Sequence, residues 1–173
     1  MKRLTLILAA MLLLCAAGCG KKASAGVEET AVFVNPNAVK EGAYGALYFE
    51  ADGYRFGIYD PMADLLMHVA PNTTFTGESC AVDGEDLYYF FNGFEVLANV
   101  IDGAERVTAI TVTDDTVKTP DGLYIGMSET ELTQITGQTP GVGGILTTAD
   151  GTAERNITVQ DGEVKAITYV PAE

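Results

Sequence analysis

Glycine preceded by aspartate or asparagine recurs at short intervals along this chain: Asp52-Gly53, Asp83-Gly84, Asn92-Gly93, Asp102-Gly103, Asp121-Gly122, Asp150-Gly151 and Asp161-Gly162. Such pairs favour the backbone dihedrals of tight hairpin turns. The stretches between them are rich in β-branched and aromatic residues. That punctuation predicts an antiparallel meander rather than a parallel sheet.

Three hairpins can be written out with their registers. Tyr44 to Glu50 and Tyr54 to Tyr59 flank Ala51-Asp52-Gly53, and the second run alternates Tyr54, Phe56 and Ile58 against Arg55, Gly57 and Tyr59. Around Asn92-Gly93, Phe91 faces Phe94, Tyr89 faces Val96 and Leu87 faces Ala98, which makes one face wholly apolar. The opposite face sets Phe90 against Glu95 and Tyr88 against Leu97. Around Asp161-Gly162, Val159 faces Val164 and Ile157 faces Ala166, with Thr158 and Lys165 on the other side.

Two short helices interrupt the strands. Ser128 and Glu131 form an S-x-x-E capping box, Met127 and Leu132 occupy the positions of a hydrophobic staple, and Gly137 suits a left-handed stop. Upstream, Asp60 is suited to cap a helix that has Pro61 at its first position and is stopped by Pro71. An internal repeat accompanies the helices. The pattern V-x-A-I-T occurs at Val107 to Thr111 and again at Val164 to Thr168, each shortly after an Asp-Gly turn.

The run Thr119-Pro120-Asp121-Gly122-Leu123-Tyr124-Ile125-Gly126-Met127-Ser128, followed by a short helix and a meander, resembles secreted and lipid-anchored proteins of Gram-positive bacteria. These are related in architecture to β-lactamase inhibitory protein, with single-copy relatives among the small outer-membrane lipoproteins of the barrel-assembly machinery. Gly77-Glu78-Ser79-Cys80-Ala81 and the segment Tyr88 to Phe94 are similar to further parts of the same lipoproteins. The resemblance implies an α+β fold of two tandem units, each a short helix packed on an antiparallel β-meander, and a role in protein–protein contact. It carries no catalytic residues. The expected division is a signal peptide over 1–18, a lipidated cysteine with tether and lead-in over 19–43, a first helix-plus-sheet unit over 44–115 and a second over 116–173.

The amino terminus has its own logic. Met1-Lys2-Arg3 supplies positive charge, and Leu4 to Ala17 is apolar apart from Thr5, too short for a stable spanning helix and laid out as a secretory signal. Cys15-Ala16-Ala17-Gly18-Cys19 resembles a bacterial lipobox, which implies acylation of the Cys19 thiol and cleavage before it. Each buried acyl methylene contributes about 0.8 kcal/mol, so two or more chains anchor stably. Gly20 to Gly26 then forms a short flexible tether, with Lys21 and Lys22 placed to meet anionic head groups. This places the protein on the outer face of the cytoplasmic membrane.

The formal net charge is −14, and it becomes more negative once Lys2 and Arg3 leave with the signal segment. Nucleic acid is a poor partner for such a chain, because its affinity rests on cationic contacts to phosphate. Cys15, Cys19 and Cys80 are the three cysteines. With Cys15 in the signal segment and Cys19 acylated, Cys80 is left alone and a disulfide framework is excluded. His68, the single histidine, sits among Leu65, Leu66 and Val69 and reads as a packed or solvent-facing side chain rather than a catalytic one. A zinc site lacks ligands, and Asp83, Glu85 and Asp86 lack the calcium-loop spacing. Gly141-Val142-Gly143-Gly144 lacks the Lys-Ser/Thr of a phosphate-binding loop. No catalytic residue, metal or cofactor is expected.

The remaining asymmetry is aromatic. Most phenylalanines and tyrosines fall between Tyr44 and Phe94. Core packing accounts for many of them, but Tyr88, Phe90 and Leu97, with Glu95 at their edge, share the mixed face of one hairpin. That face suits an unidentified protein partner. The alternative is a lipoprotein that binds cell-wall glycan or a peptide in a concave aromatic pocket. Oligomeric state is left open by the sequence.

Overall fold

Strand follows strand through most of the chain. The computed structural model describes residues 47–79 and 84–173, all within the unit Asn35–Glu173. Cys19, the tether, Tyr44 and Cys80 lie outside the described residues. The elements run β1 (Phe49–Ala51), β2 (Tyr54–Phe56), α1 (Met62–Leu66), β3 (Thr73–Glu78), β4 (Glu85–Phe90), β5 (Phe94–Ile101), β6 (Ala104–Val112), α2 (Glu129–Thr136), β7 (Ile145–Ala149), β8 (Ala153–Gln160) and β9 (Glu163–Pro171). No helix of the described residues is long and apolar enough to cross a membrane.

The expected α+β class, two tandem helix-plus-meander units, is corrected by the strand pairing. Seven strands join in one antiparallel sheet of order β3-β4-β5-β6-β9-β8-β7, while β1 and β2 pair only with each other. The link is β6 against β9, where Ile110 faces Tyr169 and Val112 faces Ile167. The described residues hold only two helices, of five and eight residues. The fold is mostly β. The long-range joint between β6 and β9 is invisible to local pattern, since no turn dipeptide connects them.

Asp52-Gly53, Asp102-Gly103 and Asp161-Gly162 carry positive φ at both residues, the conformation of a type I′ hairpin. The β4–β5 register is the expected one, with Leu87 opposite Ala98, Tyr88 opposite Leu97, Tyr89 opposite Val96 and Phe90 opposite Glu95.

The last hairpin departs from expectation. Val159 faces Val164, but Ile157 faces Ile167 and Thr158 faces Ala166, which leaves Lys165 as an extra residue. The β5–β6 hairpin does the same: Leu97 faces Ala109 and Ala98 faces Val107, so Thr108 is extra. These are β-bulges, and both fall at the x of V-x-A-I-T. Their effect on burial is direct. Residues three apart would lie on opposite faces of a regular strand, yet Val107 and Ile110 are both fully buried, and so are Val164 and Ile167.

α2 begins as expected. The Ser128 hydroxyl accepts from the Glu131 N–H at 3.3 Å, and the Glu131 carboxylate accepts from the Ser128 N–H at 3.1 Å. These Ser128 side-chain and backbone bonds hold the Glu131 carboxyl below the usual range. Met127 and Leu132 are buried together, and Gly137 closes the helix in the left-handed conformation. α1 corrects a detail. Asp60 does not cap it: Pro61 holds the cap position without a side-chain bond, and the Asp60 carboxylate accepts from the Gly57 N–H at 2.9 Å. The five-residue gap from Gly57 to α1 is thus tied by its own turn.

The core lies on one face of the large sheet. Phe94 stacks on Phe91 at 4.6 Å and meets Phe49 at 5.0 Å, while Phe49 also meets Phe56 and Tyr169. Met62 and Leu65 of α1 and Leu132 of α2 are buried in the same cluster. The β1–β2 hairpin and both helices therefore cover a single side.

Candidate functional site

Among the described residues, no element packs over the other side of the sheet. Along β5 the even–odd alternation is plain: Phe94, Val96 and Ala98 are buried, whereas Glu95 and Leu97 are half-buried. The same alternation marks β8, where Ala153, Arg155, Ile157 and Val159 are buried and their neighbours are not. Cross-strand pairing then traces the open face in rows. One row runs Thr73–Phe90–Glu95–Thr111–Thr168–Asn156–Thr147 across all seven strands. The next runs Phe75–Tyr88–Leu97–Ala109.

All four residues singled out in the sequence, Tyr88, Phe90, Glu95 and Leu97, come together on this face. They are joined by a fifth residue that no sequence motif marks. Phe75 of β3 lies opposite Tyr88, its ring 6.1 Å away, and is 60% exposed. Tyr88 and Phe90 stack at 6.4 Å with their planes 16° apart. Phe75, Tyr88, Phe90 and Leu97 thus form a continuous apolar patch at the β3–β5 end, while threonine and asparagine dominate the rest. A lone phenylalanine in the threonine run Thr73 to Glu78 was the available signal for Phe75, since both residue types favour strands.

The patch has an acidic border. Glu95 lies within it and Asp86, opposite Gly77, stands at its end, while on the reverse of the sheet Glu78 sits directly opposite Glu85. Like charges in direct cross-strand opposition repel, and both glutamates are exposed. Among the described residues none of the four acids is in a salt bridge; the ion pairs found are Arg55–Glu50, Arg155–Asp121 and Lys165–Glu163. Asn99 stiffens the near end. Its amide donates to the Asp86 carboxylate at 2.7 Å, and its carbonyl accepts from the bulged Thr108 hydroxyl at 2.6 Å.

On the reverse of β4, the Tyr89 hydroxyl donates to the Glu105 carboxylate at 2.7 Å. Partial burial, reinforced by that carboxylate, pushes the phenol up to about 12. Because the folded value lies above the ordinary value of 10.0, the protonated phenol favours the fold below that pH. The contribution is lost as pH rises through 12.

Other features are less suited to binding. A cavity of about 420 Å³ lies beside Asp52, Ala70, Asn92 and Lys118. The aromatic rings at its wall, Phe91 and Phe94, are buried against each other rather than presented to it. His68 stacks on Tyr54 at 4.1 Å. Among the described residues no group of three or more His, Cys, Asp or Glu is placed to hold a metal ion.

No family model matches the chain, and no curated protein matches it. Among solved structures it is similar to an extracellular protein containing a SCP domain from Bacillus anthracis str. Ames, at 14% identity and a TM-score of 0.40. The similarity covers 66% of this chain and 44% of that one, so the chain spans less than half the length of that structure.

Proposed function

We propose that this chain is a lipid-anchored extracytoplasmic protein that binds a protein partner on the open face of its sheet, without catalysis. The observation that carries the reading is the row Phe75–Tyr88–Leu97 with Phe90 beside it, Phe75 exposed and the others half-buried, on the face of the sheet opposite the core. Aromatic side chains rimmed by charge are the composition of a protein-binding surface. The lipobox ending at Cys19 supports the anchor. A flat row is poorly suited to enclosing a sugar, so the glycan alternative has no comparable support.

One experiment on intact cells tests both parts. Proximity cross-linking of the chain should capture a partner, and the Tyr88→Ala/Phe90→Ala variant should lose that capture while unfolding at the same temperature as the parent. Undiminished capture would reject the face. In the same cells Cys19→Ser should abolish incorporation of labelled fatty acid; a Cys19→Ser chain that still carries the label would reject the anchor.

A further inference from the structure

The aromatic patch ends at a strand that, among the described residues, has a neighbour on one side alone. β3 lies at the margin of the seven-stranded sheet. Its ladder with β4 shows which backbone groups are committed. The Ser79 N–H donates to the Gly84 carbonyl at 3.0 Å, and Ser79 and Gly84 continue the register in which Glu78 faces Glu85. Hydrogen-bonded pairs alternate along an antiparallel ladder, so Gly77, Phe75 and Thr73 bond to β4. The bond from the Phe91 N–H to the Phe94 carbonyl on the other side of β4 fits the same alternation. Thr74, Thr76 and Glu78 therefore direct their N–H and C=O groups outward, away from the sheet.

Edges of this kind are commonly blunted with lysine, proline or a bulge. β3, Thr-Thr-Phe-Thr-Gly-Glu, has neither lysine nor proline, and its pairing with β4 runs without a register shift from Thr73 to Glu78. Beside it stand the repelling pair Glu78 and Glu85, together with Asp86, none of them in a salt bridge among the described residues.

We propose that β3 accepts an extended, cationic segment of a partner protein as an eighth strand of the sheet. The segment would match β3 in length, six residues. Its N–H and C=O groups would pair with those of Thr74, Thr76 and Glu78. Side chains alternate along a strand, so β-branched or aromatic residues on one side would continue the patch beyond Phe75. Lysine or arginine on the other side would neutralise Glu78 and Glu85. Charge complementarity selects this occupant over a second copy of the chain, which carries a net charge of the same sign, −14. The proposal rests on the protein-binding reading above and specifies how the partner engages.

The test is selection of random phage-displayed peptides on the purified full-length chain, followed by affinity measurement of the enriched synthetic peptides. The expected peptides alternate lysine or arginine with β-branched or aromatic residues, and they bind more weakly as salt is raised. Thr76→Pro removes an outward N–H at an edge position, where proline is tolerated, and should weaken them at least about tenfold. Thr76→Val keeps the N–H and should bind like the parent. Hydrogen exchange provides an independent readout on the unaltered chain: the amides of Thr74, Thr76 and Glu78 should slow when peptide is added. No enrichment, peptides without the alternation, or no slowing at these amides would overturn the proposal. Binding lost in Tyr88→Ala/Phe90→Ala but kept in a folded Thr76→Pro leaves the face reading standing and rejects strand addition. The reverse pattern rejects the face and keeps the edge.

Discussion

Asp121→Ala should lower the free energy of unfolding by about 3 kcal/mol, the low end of the cost of removing one member of a buried ion pair. Arg155 points from β8 into the covered side of the sheet and is only 6% exposed. Its Nη1 donates to both carboxylate oxygens of Asp121 at 2.8 Å, and its guanidinium lies 5.8 Å from the centre of the Tyr169 ring. Asp121 is better solvated, with 44% of its side chain exposed, so water recovers part of what the mutation removes. The carboxylate also organises the chain before α2. It accepts from the Thr119 hydroxyl at 2.6 Å, and that hydroxyl accepts from the Leu123 N–H at 2.9 Å. Replacing Arg155 by methionine in the Asp121→Ala background should restore most of the loss, because the stranded charge is then gone. Urea titration with an unchanged slope is the appropriate measurement. A single-mutant loss below about 1 kcal/mol, the range of an exposed pair, would show that Arg155 finds water without its partner.

Phe49→Ala should be costlier still, about 4 kcal/mol, within the range for a phenylalanine truncated in a core. The reason is architectural. β1 and β2 have three residues each and make no ladder to the large sheet. A two-stranded hairpin of that size is marginal by itself. Its attachment depends on side chains, and Phe49 is the centre of that attachment, fully buried and in ring contact with Phe56, Phe94 and Tyr169. Among the described residues, hydrogen bonds tie the hairpin's flanks, where the Leu47 N–H reaches the Asp150 carboxylate at 3.0 Å and the Tyr59 N–H reaches the Val107 carbonyl at 2.8 Å. Partial burial pushes the Asp150 carboxyl up, but N–H groups of Ala153, Thr152 and Leu47 outweigh it and hold the group below its usual range. That tether therefore favours the fold above the ordinary carboxylate range and fades as pH falls through the lowered value. Chemical denaturation of Phe49→Ala beside Phe49→Leu would measure the cavity separately from lost apolar character. A loss under about 2 kcal/mol would mean that the hairpin is held by something other than this cluster.

The features legible in the sequence were those fixed within a few residues of each other. The capping box of Ser128 and Glu131 spans a single helical turn, and Asn92-Gly93 sets the register of the strands it joins, so both could be written down in advance. The same locality brought Tyr88, Phe90, Glu95 and Leu97 onto one face. What escaped depends on distant partners. The pairing of β6 with β9 fuses the expected meanders into a single sheet, and neither strand announces the other. Phe75 belongs to no motif of its own, and its place beside Tyr88 follows from the pairing of β3 with β4. Asp60 illustrates a local rule defeated by a local competitor: its carboxylate serves the Gly57 N–H instead of a helix start.

The extra residues Thr108 and Lys165 mark where the two middle hairpins can change length. A loop can usually gain or lose a residue at modest cost, because the strands on either side keep their orientation. Deleting Thr108 or Lys165 removes only the unpaired residue: Val107 still meets Ala98, Val164 still meets Val159, and every side chain keeps its face. In these hairpins one mid-strand residue can therefore be lost without inverting a face, whereas a deletion where the pairing is regular would exchange core and surface positions.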